Sequence, residues 1–269
     1  MVSGARATTV AAVVALALSP AVASGAAVAH GRAVSVPLSL TFDEGTAREG
    51  SVLTTSHNSG SAAVRIDVVT RSGGTARRTA GMASPWAVRL PAYTGSSDPA
   101  RAVLRISATG TSDLLSPRTS AFSFGADFKL DATSTGSSVD NGDNLVQRGL
   151  YGDAAQYKIE VDGGRVACRI KGAAGTVYVR SSLSVRRGTW YRAICTRSSG
   201  AVVVYVASVS SAGPGSYVRT GRSGTTGDVN LPDAVPMSLG GKLGANGSMV
   251  LGATDQFNGV IDRVFYRLD

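Results

Sequence analysis

Histidine, cysteine, glutamate and lysine are all scarce in this chain of 269 residues. Two histidines (His30, His57) and two cysteines leave too few nitrogen and sulfur donors for more than one four-ligand zinc site, and they show no zinc-type spacing. His57 lies in the polar run TTSHNSG and reads as a solvated loop residue rather than a catalytic base. The three glutamates are Glu44, Glu49 and Glu160. Glycoside hydrolysis needs two carboxyl groups flanking the scissile bond. The nearest pattern, EVDGGR at 160–165, lacks the second acid, so Glu160 and Asp162 read as an exposed strand end and a turn residue. No phosphate loop or haem motif is present, and no apolar run reaches the 18 residues of a membrane-spanning helix.

What is abundant is arginine, and with it a net charge of +9. The arginines are scattered, with no basic stripe interleaved with aromatics, so nucleic acid is not the expected partner. At the N-terminus, Arg6 precedes an apolar stretch from Val10 to Leu18, followed by AVA at 21–23 and again at 27–29. This is the pattern of a secretory signal peptide over residues 1–29, cleaved after Ala23 or Ala29. The expectation is a secreted, extracellular protein whose domain runs over 34–269.

Past that segment the chain reads as strands. Val34, Val36, Leu38, Leu40 and Phe42 alternate with small or polar residues, and Pro37 marks an edge or a bulge. Phe122, Phe124, Ala126, Phe128 and Leu130 form the longest aromatic alternation. YKIEV (157–161) turns through DGG into RVACRI (165–170), and further strands read at 64–68, 86–91, 102–107, 176–180, 189–197, 201–208, 236–241 and 259–268. The polar stretches 131–144 and 210–228 read as exposed loops, and Asp140, Asp143 and Asn144 as a solvated acidic loop or, less simply, a set of oxygen ligands. No helical period appears, and no linker interrupts the run, which predicts a single all-β, antiparallel, two-sheet sandwich. Cys168 and Cys195, each on the buried side of a strand in an exported chain, are expected to form a disulfide.

The order of the pieces AFSFGADFKLD, NLVQRGLYGDAAQYKIEVDGGRVACRI, LSVRRGTWYRAICTR, AVVVYVAS, MSLGGK and FNGVIDRVFYRL resembles the laminin-G-like, concanavalin-A-like jelly rolls in their bacterial secreted form. The resemblance is best over 120–269, and 34–46 matches the opening strand. YVAS at 205–208, Arg263 after Ile261-Asp262, and Tyr191 after Trp190 depart from the pattern without breaking a strand. The resemblance implies that the first and last strands pair, and that a structural calcium is held by Asp43 and Asp262. It also implies a non-catalytic module that binds an extracellular glycan or a surface protein through a rim or the concave sheet. A polysaccharide hydrolase or lyase on the same fold, and a structural adhesion protein, remain as alternatives, because fold does not decide function. Sugar faces stack on flat aromatics. Among Trp86, Trp190, Tyr93, Tyr151, Tyr157 and Tyr217, the loop residues Tyr151 and Tyr217 are the candidate ligand-binding groups, with Trp190 read as core. The sequence carries no signal of oligomeric state.

Overall fold

The computed structural model describes residues 1, 34–46, 48–92, 94–96, 98–134, 136–137 and 139–269. The leader expected over 1–29 lies outside them but for Met1, as does Tyr93. The strands, in chain order, are β1 (Ser35–Leu40), β2 (Val52–Leu53), β3 (Val64–Arg71), β4 (Ala76–Ala80), β5 (Trp86–Arg89) and β6 (Arg101–Ala108). Then come β7 (Phe122–Leu130), β8 (Asp143–Arg148), β9 (Gln156–Asp162), β10 (Arg165–Gly172), β11 (Gly175–Ser184) and β12 (Trp190–Arg197). The chain closes with β13 (Ala201–Ser210), β14 (Gly213–Pro214), β15 (Val218–Ser223), β16 (Met237–Leu239) and β17 (Gly259–Leu268).

They form two antiparallel sheets. The ten-stranded sheet runs β14-β13-β12-β7-β17-β5-β4-β2, with β1 added to β17 and β15 to β13. The seven-stranded sheet runs β11-β10-β9-β8-β16-β6-β3. The chain therefore ends by sealing its own beginning: Leu40 pairs with Val264 and Ser35 with Leu268. The register slips between Ser35 and Leu38, at Pro37, which has no N–H to give the ladder.

Alternation places the core. On β7, Phe122, Phe124, Ala126, Phe128 and Leu130 point inward, and on β9 Tyr157, Ile159 and Val161 do the same. Phe124 of one sheet meets Tyr157 of the other edge-on with ring centroids 5.0 Å apart, and Tyr157 lies 5.7 Å from Tyr266. Such pairs add about 0.5–1.5 kcal/mol beyond the area they bury. The Tyr157 hydroxyl donates to the Leu115 carbonyl at 2.9 Å, so the buried phenol is not left unpaired. Cys168 on β10 and Cys195 on β12 are bonded, with Cα atoms 6.1 Å apart, and tie one sheet to the other through this core. The β9–β10 turn places Gly163 and Gly164 both at positive φ (52° and 71°), the requirement of a two-residue hairpin that glycine meets without strain.

Two stretches depart from expectation. The stretch 210–228 is not all loop: β15 within it pairs with β13 from Ala201↔Ser223 to Val206↔Val218. Its alternation was hidden by glycine, serine and arginine on an edge strand, where few side chains need be apolar. The stretch 131–144 is a loop exposed at Asp131, Thr133, Gly136, Ser137 and Asn141, but its acidic end is not solvated. Asp140, Asp143 and Asn144 are buried, and β8 starts at Asp143. Asp143 accepts hydrogen bonds from the backbone N–H of Ser134 (3.0 Å) and from Nδ2 of Asn258 (2.9 Å), partners that fold the loop onto the start of β17.

Candidate functional site

The outward face of β9 is polar at every position: Gln156, Lys158, Glu160 and Asp162. Across the ladder Lys158 stands opposite Arg169 on β10, and Arg169 stands opposite Tyr178 on β11. The loop carrying Tyr151 rises at one side and the segment around Lys242 and Asp255 at the other. Together they enclose a groove of about 470 Å³ on the seven-stranded sheet.

Its walls are firmly held. Gly149, at φ 77°, offers its carbonyl to Nε2 of both Gln147 (2.8 Å) and Gln156 (3.1 Å). Asp153 accepts from the Leu150 N–H at 2.7 Å and closes the turn. Tyr151, on that turn, is 73% exposed. Its ring faces the Arg169 guanidinium at 4.3 Å, and its carbonyl accepts from Lys171 Nζ at 3.2 Å. A cation over an aromatic face both orients the ring and is held by it.

Charge is arranged unevenly along the groove. Lys158 is paired with Glu160 and lies 3.6 Å from Asp255, which also takes Lys242. Burial pushes the Glu160 carboxyl above its usual range, and Lys158 opposes the shift. Burial, followed by the charges of Asp162 and Glu160, raises the Tyr178 phenol as well. At the Tyr151 end two buried atoms have no partner: Oε1 of Gln156, a residue only 2% exposed, and Nε of Arg169. A buried polar atom without a hydrogen bond is costly and rare. Here both line the same groove.

Glu160 is thus not an exposed strand end; its side chain is 12% accessible and sits inside the groove. Sequence reasoning also passed over Gln156, Lys158, Arg169, Lys242 and Asp255. The available signal was an outward strand face with no apolar or small residue, immediately after an aromatic turn.

The expected metal residues lie on the other sheet. Asp262 is on β17 opposite Asp127 on β7. Its carboxylate accepts from the Ser84 hydroxyl and from the Arg263 N–H (2.6 Å), and it is 1% exposed. Burial raises its pKa to about 7, with Asp127 and Asp43 adding repulsion. Asp43 accepts from the Trp86 N–H at 2.8 Å. Asp127 is committed to Arg192 (2.7 Å to Nη2). Gly81 lets this loop close: a Cβ there would lie 2.5 Å from the Ser84 carbonyl oxygen and 3.1 Å from Asp262. The carboxylates of Asp43 and Asp262 are hard oxygen donors of the type calcium takes, and Asp262 has no cation paired with it among the described residues. No cluster of three His, Cys, Asp or Glu side chains in metal-binding arrangement occurs among the described residues, so backbone carbonyls and water would have to complete any shell.

Tyr217 stands on the outer face of the ten-stranded sheet, 39% exposed, edge-on to Tyr205 at 6.4 Å. With Ile194, Thr196 and Phe265 these tyrosines line a shallower hollow of about 330 Å³. The two loop tyrosines therefore serve opposite faces. Trp190 is 4% exposed, packed with Ala87, Val209 and Val260.

The fold is the two-sheet jelly roll of the laminin-G and concanavalin-A type. No family model and no curated protein matches the chain. Solved structures do. Domain 4 of AbnA, a GH43 extracellular arabinanase from Geobacillus stearothermophilus, in complex with arabinotriose, matches 87% of this chain and 93% of that one, at TM-score 0.53 and 16% identity. The binding domain of botulinum neurotoxin DC in complex with rat synaptotagmin II matches 87% of this chain at TM-score 0.51 and 11% identity. This chain spans 48% of that domain's length. The LG1-3 region of the laminin alpha2 chain matches 58% of this chain and 28% of its own at 11% identity, and at TM-score 0.45 it adds nothing to the argument. These likenesses establish the fold. Of these neighbours, one is a toxin's binding domain and another is a domain that holds arabinotriose.

Proposed function

We propose that the chain is a secreted, non-catalytic recognition module that binds extracellular carbohydrate in the groove of the seven-stranded sheet. The observation that carries this reading is the Tyr151 end of the groove. An exposed ring on a clamped turn stands beside a buried acceptor, Gln156 Oε1, and a buried donor, Arg169 Nε, neither with a partner. Sugars offer what these groups lack: an apolar ring face for the tyrosine and hydroxyls that donate and accept. Retaining hydrolysis would need two free carboxyl groups across a bond, whereas Glu160 and Asp255 are each tied to lysine. The neighbour that holds arabinotriose supports a glycan over a protein ligand. Export supports it too, in that the leader pattern and the disulfide both suit an oxidising compartment. Affinity electrophoresis through gels containing soluble plant and bacterial polysaccharides tests the reading. Retardation that Tyr151→Ala abolishes, with no oligosaccharide released, supports it. Release of oligosaccharides would favour the hydrolase or lyase alternative. A protein captured with no sugar retained would favour adhesion.

A calcium held by Asp43 and Asp262 belongs to the same proposal as a structural element. It would neutralise the carboxylate that burial and its neighbours now hold near pH 7, and would fix the 81–86 segment against β17.

A further inference from the structure

We infer that the groove recognises acidic sugars, with the carboxylate of a uronic acid seated on Arg169; this rests on the groove being the glycan site. Six charged side chains line the groove, with Lys171 beside it, and they are not interchangeable. Glu160 and Asp255 are taken by Lys158 and Lys242. Arg169 makes no ion pair among the described residues, and its Nε is buried without a hydrogen-bond partner. Lys171, next on the same face of β10, donates to the Tyr151 carbonyl and makes no ion pair among the described residues. The Tyr151 end thus carries two cations that pair with no carboxylate among the described residues, since Asp153 on that turn accepts from the Leu150 N–H and does not line the groove, and the groove's own carboxylates gather toward Glu160 and Asp162.

A guanidinium presents donors in a planar fork that matches a carboxylate with two parallel hydrogen bonds. Stacking on Tyr151 at 4.3 Å fixes the plane of that fork, and its terminal amino groups, which make no ion pair among the described residues, are the part offered to a ligand. Gln156 is two residues from Lys158, which stands opposite Arg169, so Gln156 is Arg169's diagonal neighbour on the same sheet face. Diagonal neighbours in a sheet are roughly 7–8 Å apart. That spacing suits one sugar ring with its carboxylate on the arginine, a hydroxyl donated to Gln156 Oε1 and a ring face on Tyr151. A neutral sugar would leave the arginine's charge uncompensated. A sugar with its acid turned the other way would meet Glu160 and Asp162.

Matched polymers test this by calorimetry on the full chain: polygalacturonate, alginate and hyaluronate, each beside its carboxyl-reduced form, with neutral arabinan and xylan. The expected result is binding to at least one acidic polymer that weakens about 10- to 100-fold on carboxyl reduction, as loss of a charge-assisted hydrogen bond does. Arg169→Gln should weaken it equally and abolish the difference between the two forms. Arg48→Gln, at an exposed turn on the other sheet, should leave both affinities unchanged and so separates the groove from the general +9 charge. Equal binding of acidic and reduced forms, or an acidic preference untouched by Arg169→Gln, overturns the inference and leaves the glycan groove standing. Binding to none of these polymers, acidic or neutral, overturns both.

Discussion

The two outer faces of the sandwich both hold buried carboxylates, and they solve the problem differently. On the seven-stranded sheet Glu160 and Asp255 of the groove are each matched by a lysine, and among the residues that line it a buried glutamine oxygen and a buried arginine nitrogen have no partner. On the ten-stranded sheet Asp127 has Arg192, but Asp262 has, among the described residues, a hydroxyl, a backbone N–H and two acidic neighbours and no paired cation. The first face pairs two of its acids with lysines and leaves a cation and two polar atoms without partners at one end, as a ligand groove should. The second is short of positive charge, as a cation site should be. Each deficit suits a different proposed ligand, a sugar on the first face and calcium on the second.

Breaking a pair on either face should expose the contrast. Arg192→Met leaves Asp127 buried and uncompensated and is expected to cost about 3–5 kcal/mol in urea unfolding. Lys242→Met should cost about 1 kcal/mol or less, since its Asp255 keeps Lys158 and the lysine is partly exposed. Equal losses would erase the distinction. The disulfide joins the faces: replacing both Cys168 and Cys195 by serine closes no 27-residue loop in the unfolded chain and should cost about 3–4 kcal/mol by chain entropy.

A pH scan sharpens the cation deficit. Burial raises Asp262 and Asp143 to about 7 in the fold from a usual 3.8. Between these values the folded state holds more protons than the unfolded one, so stability falls as pH rises from about 4 to about 7. Asp67, which Arg105 holds low, acts in the opposite sense only below that window. The midpoint of thermal unfolding in chelator should therefore be lower at pH 7 than at pH 5, and Asp262→Asn should flatten the slope. Millimolar calcium at pH 7 should raise the midpoint by a few degrees in the parent protein and not in Asp262→Asn. The smallest effect is on Tyr151→Ala: unfolding within about 0.5 kcal/mol of the parent, because the ring is exposed, with glycan retention lost.

Much of the scaffold could be read from the chain because burial imposes a period of two. The Phe122–Leu130 alternation, the DGG hairpin and the inward cysteines all obey that rule locally. The pairing of β1 with β17 is expected from the resemblance rather than from the alternation itself. What was not readable depends on partners far away in sequence. Asp143 reads as solvated until Asn258, 115 residues on, reaches it. Glu160 reads as an exposed strand end until the 242–255 segment forms a wall beside it. Tyr151 and Tyr217 are on the surface as their loops suggested, but only the fold separates them onto opposite faces.

The most direct test of the central claim is amide NMR of the full chain titrated with the polysaccharide fragment that binds best. Shifts concentrated on residues 150–152, β9 and β10, with Tyr205, Tyr217 and Asp262 unmoved, are what this account predicts. Shifts centred on the Tyr205–Tyr217 hollow or on the 81–86 segment would contradict it.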